Sequence, residues 1–161
     1  TLPEEEWING SGEVLKYALL DESVYELVMS GDSIDWNQLI RSCLQVKRRY
    51  VEKDYFDRGI RQHLNLGHTY GHAIEKYDGT SHGFAVAYGI RMIIEGYHLE
   101  KTKKIFEMLC QRLGIKLTRQ YDTEILKSYM IQDKKSQENR LVFIVPEGVG
   151  KIKIVEVRNE I

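Results

Sequence analysis

Proline, the residue that most directly forbids a helix interior, occurs only at positions 3 and 146. The long stretch between them escapes the lost N–H and the ring clash that end a helix, so most of this chain is free to be helical. Apolar spacing predicts where. Val14, Leu15, Ala18, Tyr25 and Val28 recur at helical intervals over 13–28, and Gly31-Asp32 breaks the pattern. Over 34–57, Trp36, Leu39, Ile40, Cys43, Leu44, Val46, Tyr50 and Val51 predict a second, longer helix. Residues 62–77 read as a third and 83–98 as a fourth. The fourth is apolar nearly all round (Ala85, Val86, Ala87, Ile90, Met92, Ile93, Ile94), which predicts a central position in a bundle. Residues 102–113 form a fifth, closed by Gly114. Asp122 or Thr123 caps a sixth that ends near Gln132. The period then changes: 141–145 and 152–157 are β-rich runs flanking Gly148-Val-Gly150, a hairpin signal. The expected fold class is mainly α, a bundle of about six helices with a small C-terminal β-hairpin. At 161 residues and 42% hydrophobic, one core is expected, and residues 1–161 are taken as a single helical domain.

Charge narrows the function. The net charge is −1, which removes the electrostatic case for a nucleic-acid binder. Residues 1–35 carry nine acids and one Lys, so the remainder carries +7, enough for a local site for a small anion. Cys43 and Cys110 are too few for a Cys-rich zinc site or a disulfide framework, which points to a reducing, cytoplasmic setting. No run approaches the roughly 20 apolar residues of a membrane span. The chain opens Thr-Leu-Pro-Glu-Glu-Glu without Met, an opening expected of one domain of a larger protein.

Gly10-Ser-Gly12 begins a partial dinucleotide fingerprint, but Leu15 takes the sixth position and no strand precedes it. It is read as a loop that brings the first helix close to something else. There is no P-loop. The histidines are more informative. His68 and His72 stand at i, i+4 on one helix face, and His82 opens the next apolar helix. Catalytic zinc takes three protein ligands and keeps an open position; spacing alone leaves open which three. Arg61, Asn65, His68 and His72 follow spacings of 4, 3 and 4, a polar stripe better suited to a cavity wall than to a core. Leu66, Tyr70, Ala73 and Ile74 offer the opposite face for packing. Glu13 and Lys16 at i, i+3 read, on spacing, as a surface ion pair. Asp133-Lys134-Lys135 is a solvated loop or a pair of point charges for an anion.

Four ordered blocks carry a resemblance. Arg61-Gln-His-Leu-Asn-Leu-Gly-His-Thr-Tyr-Gly-His-Ala-Ile-Glu75, Gly12-Glu-Val-Leu-Lys-Tyr17, His82-Gly-Phe-Ala-Val-Ala-Tyr-Gly89 and Asp133-Lys-Lys135 resemble the C-terminal, metal- and substrate-binding half of the 3-dehydroquinate synthases. The resemblance implies zinc, or another divalent metal such as cobalt, on Glu13, His68 and His82. It implies an acid/base role for His72, with Lys16, Arg61 and Asn65 beside it as catalytic groups. It implies contacts to substrate carboxylate, hydroxyls and phosphate from Lys16, Lys47, Arg61, Asn65, His72 and one or both of Lys134 and Lys135. NAD would be bound mainly by an N-terminal domain absent from this chain, and the two-domain enzyme would be a homodimer. The implied reaction is a lyase cyclisation of a seven-carbon sugar-acid phosphate (DAHP) to 3-dehydroquinate in the shikimate pathway of aromatic amino acid biosynthesis. Oxidation, phosphate elimination, reduction, ring opening and an intramolecular aldol step follow in turn. Two alternatives stand beside it: a sugar-phosphate cyclase making an aminocyclitol precursor, and a non-catalytic helical metal-binding module. Without its NAD-binding partner the isolated domain is expected to be inactive. One departure is plain: Phe84 stands where the family normally carries Glu, a loss expected to weaken orientation around the metal.

Overall fold

A computed structural model describes residues 3–133 and 140–158. Among the described residues, seven α-helices precede one hairpin: α1 (Glu4–Leu20), α2 (Glu22–Met29), α3 (Trp36–Lys53), α4 (His68–Asp78), α5 (His82–Gly96), α6 (Glu100–Leu113) and α7 (Thr123–Asp133), then β1 (Arg140–Gly148) and β2 (Lys151–Arg158). A 3-10 turn, Ile60–Asn65, leads into α4. The strands pair antiparallel from Arg140↔Arg158 to Gly148↔Lys151. The architecture is the expected helical bundle with a terminal hairpin.

α5 is the axis of the molecule. Ten of its fifteen residues are buried. Val86, Ala87, Ile90 and Ile94 face a core built with α1, α2, α3 and α6. Ala85, Tyr88, Met92 and Ile93 face a second core built with α4, α7 and β1. A helix apolar on every side is satisfied only between two packing partners, and that is its place here. Gly114 closes α6 in the left-handed region (φ 70°), as its type requires.

Three boundaries differ from apolar spacing alone, each for a local reason. The segment read as one helix over 13–28 is two, because Asp21 turns extended and its carboxylate accepts from the Ser23 N–H to start α2. The helix read over 62–77 is interrupted: Gly67 adopts φ 79°, and α4 starts only at His68. Gly10-Ser-Gly12 is no loop, since α1 runs through it from Glu4. Among the described residues, no helix is long and apolar enough to cross a membrane.

Candidate metal and substrate site

Glycines set how closely three helices approach. A Cβ on Gly12 would lie 2.0 Å from the Gly83 carbonyl oxygen. A Cβ on Gly67 would lie 2.5 Å from the Val86 oxygen. The Gly83 N–H donates to Asn9 Oδ1 at 2.6 Å, so α1 is also bonded to the first turn of α5. These contacts bring Glu13 of α1, His68 of α4 and His82 of α5 to one point.

One donor atom from each of those three residues lies within 4.8 Å of the others. Glu13 Oε1 stands 3.4 Å from His82 Nε2 and 3.8 Å from His68 Nε2. Two ligand atoms each about 2.1 Å from a tetrahedral zinc stand about 3.4 Å apart, so the spacing is close to that of a coordination shell. Glu13 Oε1 is buried and has no hydrogen-bond partner among the described residues. A buried carboxylate oxygen left so costs free energy that a cation between it and the imidazoles would recover. The donor chemistry therefore fits a zinc-type ion.

The other carboxylate oxygen, Glu13 Oε2, takes the Lys16 ammonium at 2.6 Å. Lys16 is buried (4% exposed) and lies 4.8 Å from the Tyr17 ring centre. The surface ion pair suggested by spacing is thus a half-buried one, with Lys16 in the interior and Glu13 at its edge. Burial pushes the Glu13 carboxyl up, but the charge and hydrogen bond of Lys16, with the two imidazoles, outweigh it and hold the group below its ordinary value. Burial, then the Lys16 charge, pushes His68 down to about 4. Near neutral pH the pair is therefore a carboxylate and a neutral imidazole, the forms that bind metal.

His72 is close without belonging to that donor group. Its ring centre lies 5.5 Å from His68 and 6.3 Å from His82. It lines a cavity of about 330 Å³ together with Asn65, His68, Thr69, Lys76 and Tyr129. β1 forms one wall through Val142 and Ile144, held to α4 by the Thr69 hydroxyl donating to the Val142 carbonyl at 2.6 Å.

Three of the four residues of the expected polar stripe, Asn65, His68 and His72, line the cavity. Arg61 does not, because 60–65 winds as a 3-10 turn of three residues per turn, which puts residues four apart on different faces. Its guanidinium donates to the Tyr55 carbonyl at 2.9 Å, and its own N–H to Asp54. Lys47 is exposed on α3 and does not line the cavity. Lys134 and Lys135 lie outside the described residues, and Asp133 closes α7. Phe84 packs into both apolar cores. Spacing overlooked Asp57, Thr69 and Tyr129, which reach the cavity only through the fold. It also overlooked Glu75, whose Oε1 lies 3.1 Å from His82 Nδ1. A signal for Glu75 existed: it stands three residues after His72 and seven after His68, which extends their face by a turn.

Comparison with known proteins gives the family and the fold. The family model described as 3-dehydroquinate synthase C-terminal matches residues 10–136. A 3-dehydroquinate synthase of Thermococcus kodakarensis is 41% identical over 98% of the chain and 47% of its own length. That of Pyrococcus abyssi is 36% identical over 100% of the chain and 51% of its own length. The chain thus spans about half the length of the curated relatives it matches. Among solved structures, a 2-deoxy-scyllo-inosose synthase superposes with a TM-score of 0.72 at 25% identity, over 98% of this chain and 48% of that one. The 2-epi-5-epi-valiolone synthase of Streptomyces hygroscopicus subsp. jinggangensis 5008 has the same fold, with a TM-score of 0.76 at 16% identity over 96% of this chain and 48% of that one.

Proposed function

Because the chain belongs to the 3-dehydroquinate synthase C-terminal family, we propose that it is the metal- and substrate-binding half of a two-domain enzyme that converts a seven-carbon sugar-acid phosphate to 3-dehydroquinate. NAD would be carried by an N-terminal domain, and the assembled enzyme would be a cytoplasmic homodimer. The observation that carries the reading is the convergence of Glu13, His68 and His82 around the orphaned oxygen Glu13 Oε1, at the edge of the cavity that His72 lines.

These three residues would hold a zinc ion, which supplies Lewis-acid polarisation of substrate hydroxyl and ketone oxygens. The remaining roles belong to the chain's own side chains. Lys16 neutralises Glu13, so the loaded centre keeps a net positive charge suited to a sugar acid phosphate. His72 has no place in the donor set and faces the cavity, where an imidazole can take or return a substrate proton. Asn65 offers its amide to substrate hydroxyls from the same wall. Lys47, Arg61, Lys134 and Lys135 would supply further cations, Arg61 after release of its bond to the Tyr55 carbonyl. The aminocyclitol-type cyclases share the fold, but the relatives that match at 41% and 36% identity are 3-dehydroquinate synthases, and substrate profiling of the two-domain protein separates the two.

The test compares His68→Ala with His72→Ala in the two-domain protein. His68→Ala should lose its zinc. His72→Ala should keep zinc and fold, with phosphate release slowed about 10²- to 10⁴-fold. Zinc lost from His72→Ala and kept in Glu13→Ala would refute the ligand assignment.

A further inference from the structure

Both histidines of the donor set have their other ring nitrogen engaged. His68 Nδ1 stands 3.1 Å from the Leu66 carbonyl oxygen. A carbonyl only accepts, so Nδ1 carries the proton and Nε2 keeps its lone pair toward Glu13. For His82 the same place is taken by a side chain, Glu75 Oε1, 3.1 Å from Nδ1. A carboxylate also only accepts, and it assigns the same tautomer.

His82 needs such a hold more than His68 does. Its side chain is 44% exposed against 15% for His68. It is also the first residue of α5, where no preceding helical turn restrains it. Glu75 sits well inside α4, on the face that carries His68 and His72. The position after Gly83, where a carboxylate was expected, is instead filled by Phe84, whose ring packs into the cores. The acceptor on His82 comes from the neighbouring helix.

We infer that Glu75 is a positioning residue of this centre. By accepting the His82 Nδ1–H it fixes the tautomer, aims Nε2 at Glu13 Oε1, and raises the basicity of that nitrogen toward a cation. This rests on the metal reading above for its purpose, though not for its geometry. Glu75 itself stands outside the three-residue donor group and does not line the cavity.

Two measurements on the chain test it. The first uses metal-free protein with ¹⁵N-labelled histidine, held well above the ordinary histidine pKa of about 6.5. His82 should be protonated on Nδ1 in the wild type. In Glu75→Ala the Nδ1–H loses its acceptor and the population should shift toward Nε2–H, which the Glu13 Oε1 carboxylate 3.4 Å away can accept, while His68, held by Leu66, stays as it was. The second is zinc affinity by competition with a chelating indicator. Glu75→Ala should bind about 10- to 100-fold more weakly. Glu75→Gln, whose amide oxygen still accepts, should keep the tautomer and recover part of the affinity. A wild-type His82 protonated on Nε2 overturns the inference without any variant. So does Glu75→Ala with an unchanged His82 tautomer, or with zinc affinity within twofold of wild type. A wild-type chain that takes up no zinc refutes the metal reading instead, and the metal-free spectra still decide whether Glu75 holds His82.

Discussion

Gly83→Ala should damage the candidate metal site without touching a ligand. A Cβ at Gly83 would lie 1.7 Å from the Asn9 carbonyl oxygen, and real Cβ atoms essentially never come within 3.0 Å. The backbones of α1 and α5 must therefore part by at least 3.0 − 1.7 = 1.3 Å. Glu13 lies one turn beyond Asn9 on α1, and His82 is the residue before Gly83, so the separation falls on the donor pair 3.4 Å apart. Metal–ligand distances tolerate about 0.2 Å. The two nearest clashing atoms, the Asn9 carbonyl oxygen and carbon, are backbone, which sets the overpacking cost near the upper part of the usual range of about 1–3 kcal/mol. Loss of the Gly83 N–H to Asn9 hydrogen bond adds about 1 kcal/mol, and the helix preference of alanine offsets up to about 1 kcal/mol. A net cost of about 2–3 kcal/mol lowers Tm by about 4–12 °C in a domain of this size. Thermal melts and zinc competition read both effects, and zinc should bind at least tenfold more weakly. Gly96→Ala is the control: its Cβ meets nothing within 4 Å, and Tm should stay level or rise slightly. A Gly83→Ala protein that melts with the wild type and binds zinc equally well would refute the glycine contact as the device that sets the site.

Two further outcomes follow from buried titratable groups. His68 is held at about 4 against an ordinary 6.5, so between those values the unfolded chain binds more protons than the folded one. Stability of the metal-free chain should therefore fall as pH drops through that window, by about 3 kcal/mol at most, and Tm against pH should be flatter for His68→Asn; parallel profiles would count against it. Burial pushes both Cys43 and Cys110 up to about 12, so the native chain should react with dithiobis-nitrobenzoate at mild alkaline pH far more slowly than the denatured chain; equal rates would contradict that burial.

Local chemistry was legible in the order of residues. Apolar periodicity marks α3, α5, α6 and the hairpin because burial on a helix face or a strand face repeats every few residues. The all-apolar run in α5 announces its central place for the same reason. The donor types were also legible, since a Glu, two histidines and their surrounding blocks match one family. What periodicity missed are local departures from a pattern: the Asp21 cap that divides α1 from α2, the left-handed Gly67 that delays α4, and the 3-10 winding of 60–65 that turns Arg61 away from Asn65 and off the cavity wall.

The rest belongs to tertiary structure. Gly12 looks like a helix breaker when only its neighbours are considered, yet it lies within α1 because the Gly83 carbonyl occupies the space of its side chain. Glu13 and Lys16 at i, i+3 suggest a surface pair, and only packing buries Lys16 and leaves Glu13 Oε1 facing His68 and His82. Glu75 carried no assigned role until α4 brought it against His82 Nδ1. Residue order sets which side chains share a face, because that depends on a turn or two of backbone. Whether three faces meet at one ion depends on helix separations of a few ångströms, and those are decided by contacts between residues some 70 positions apart.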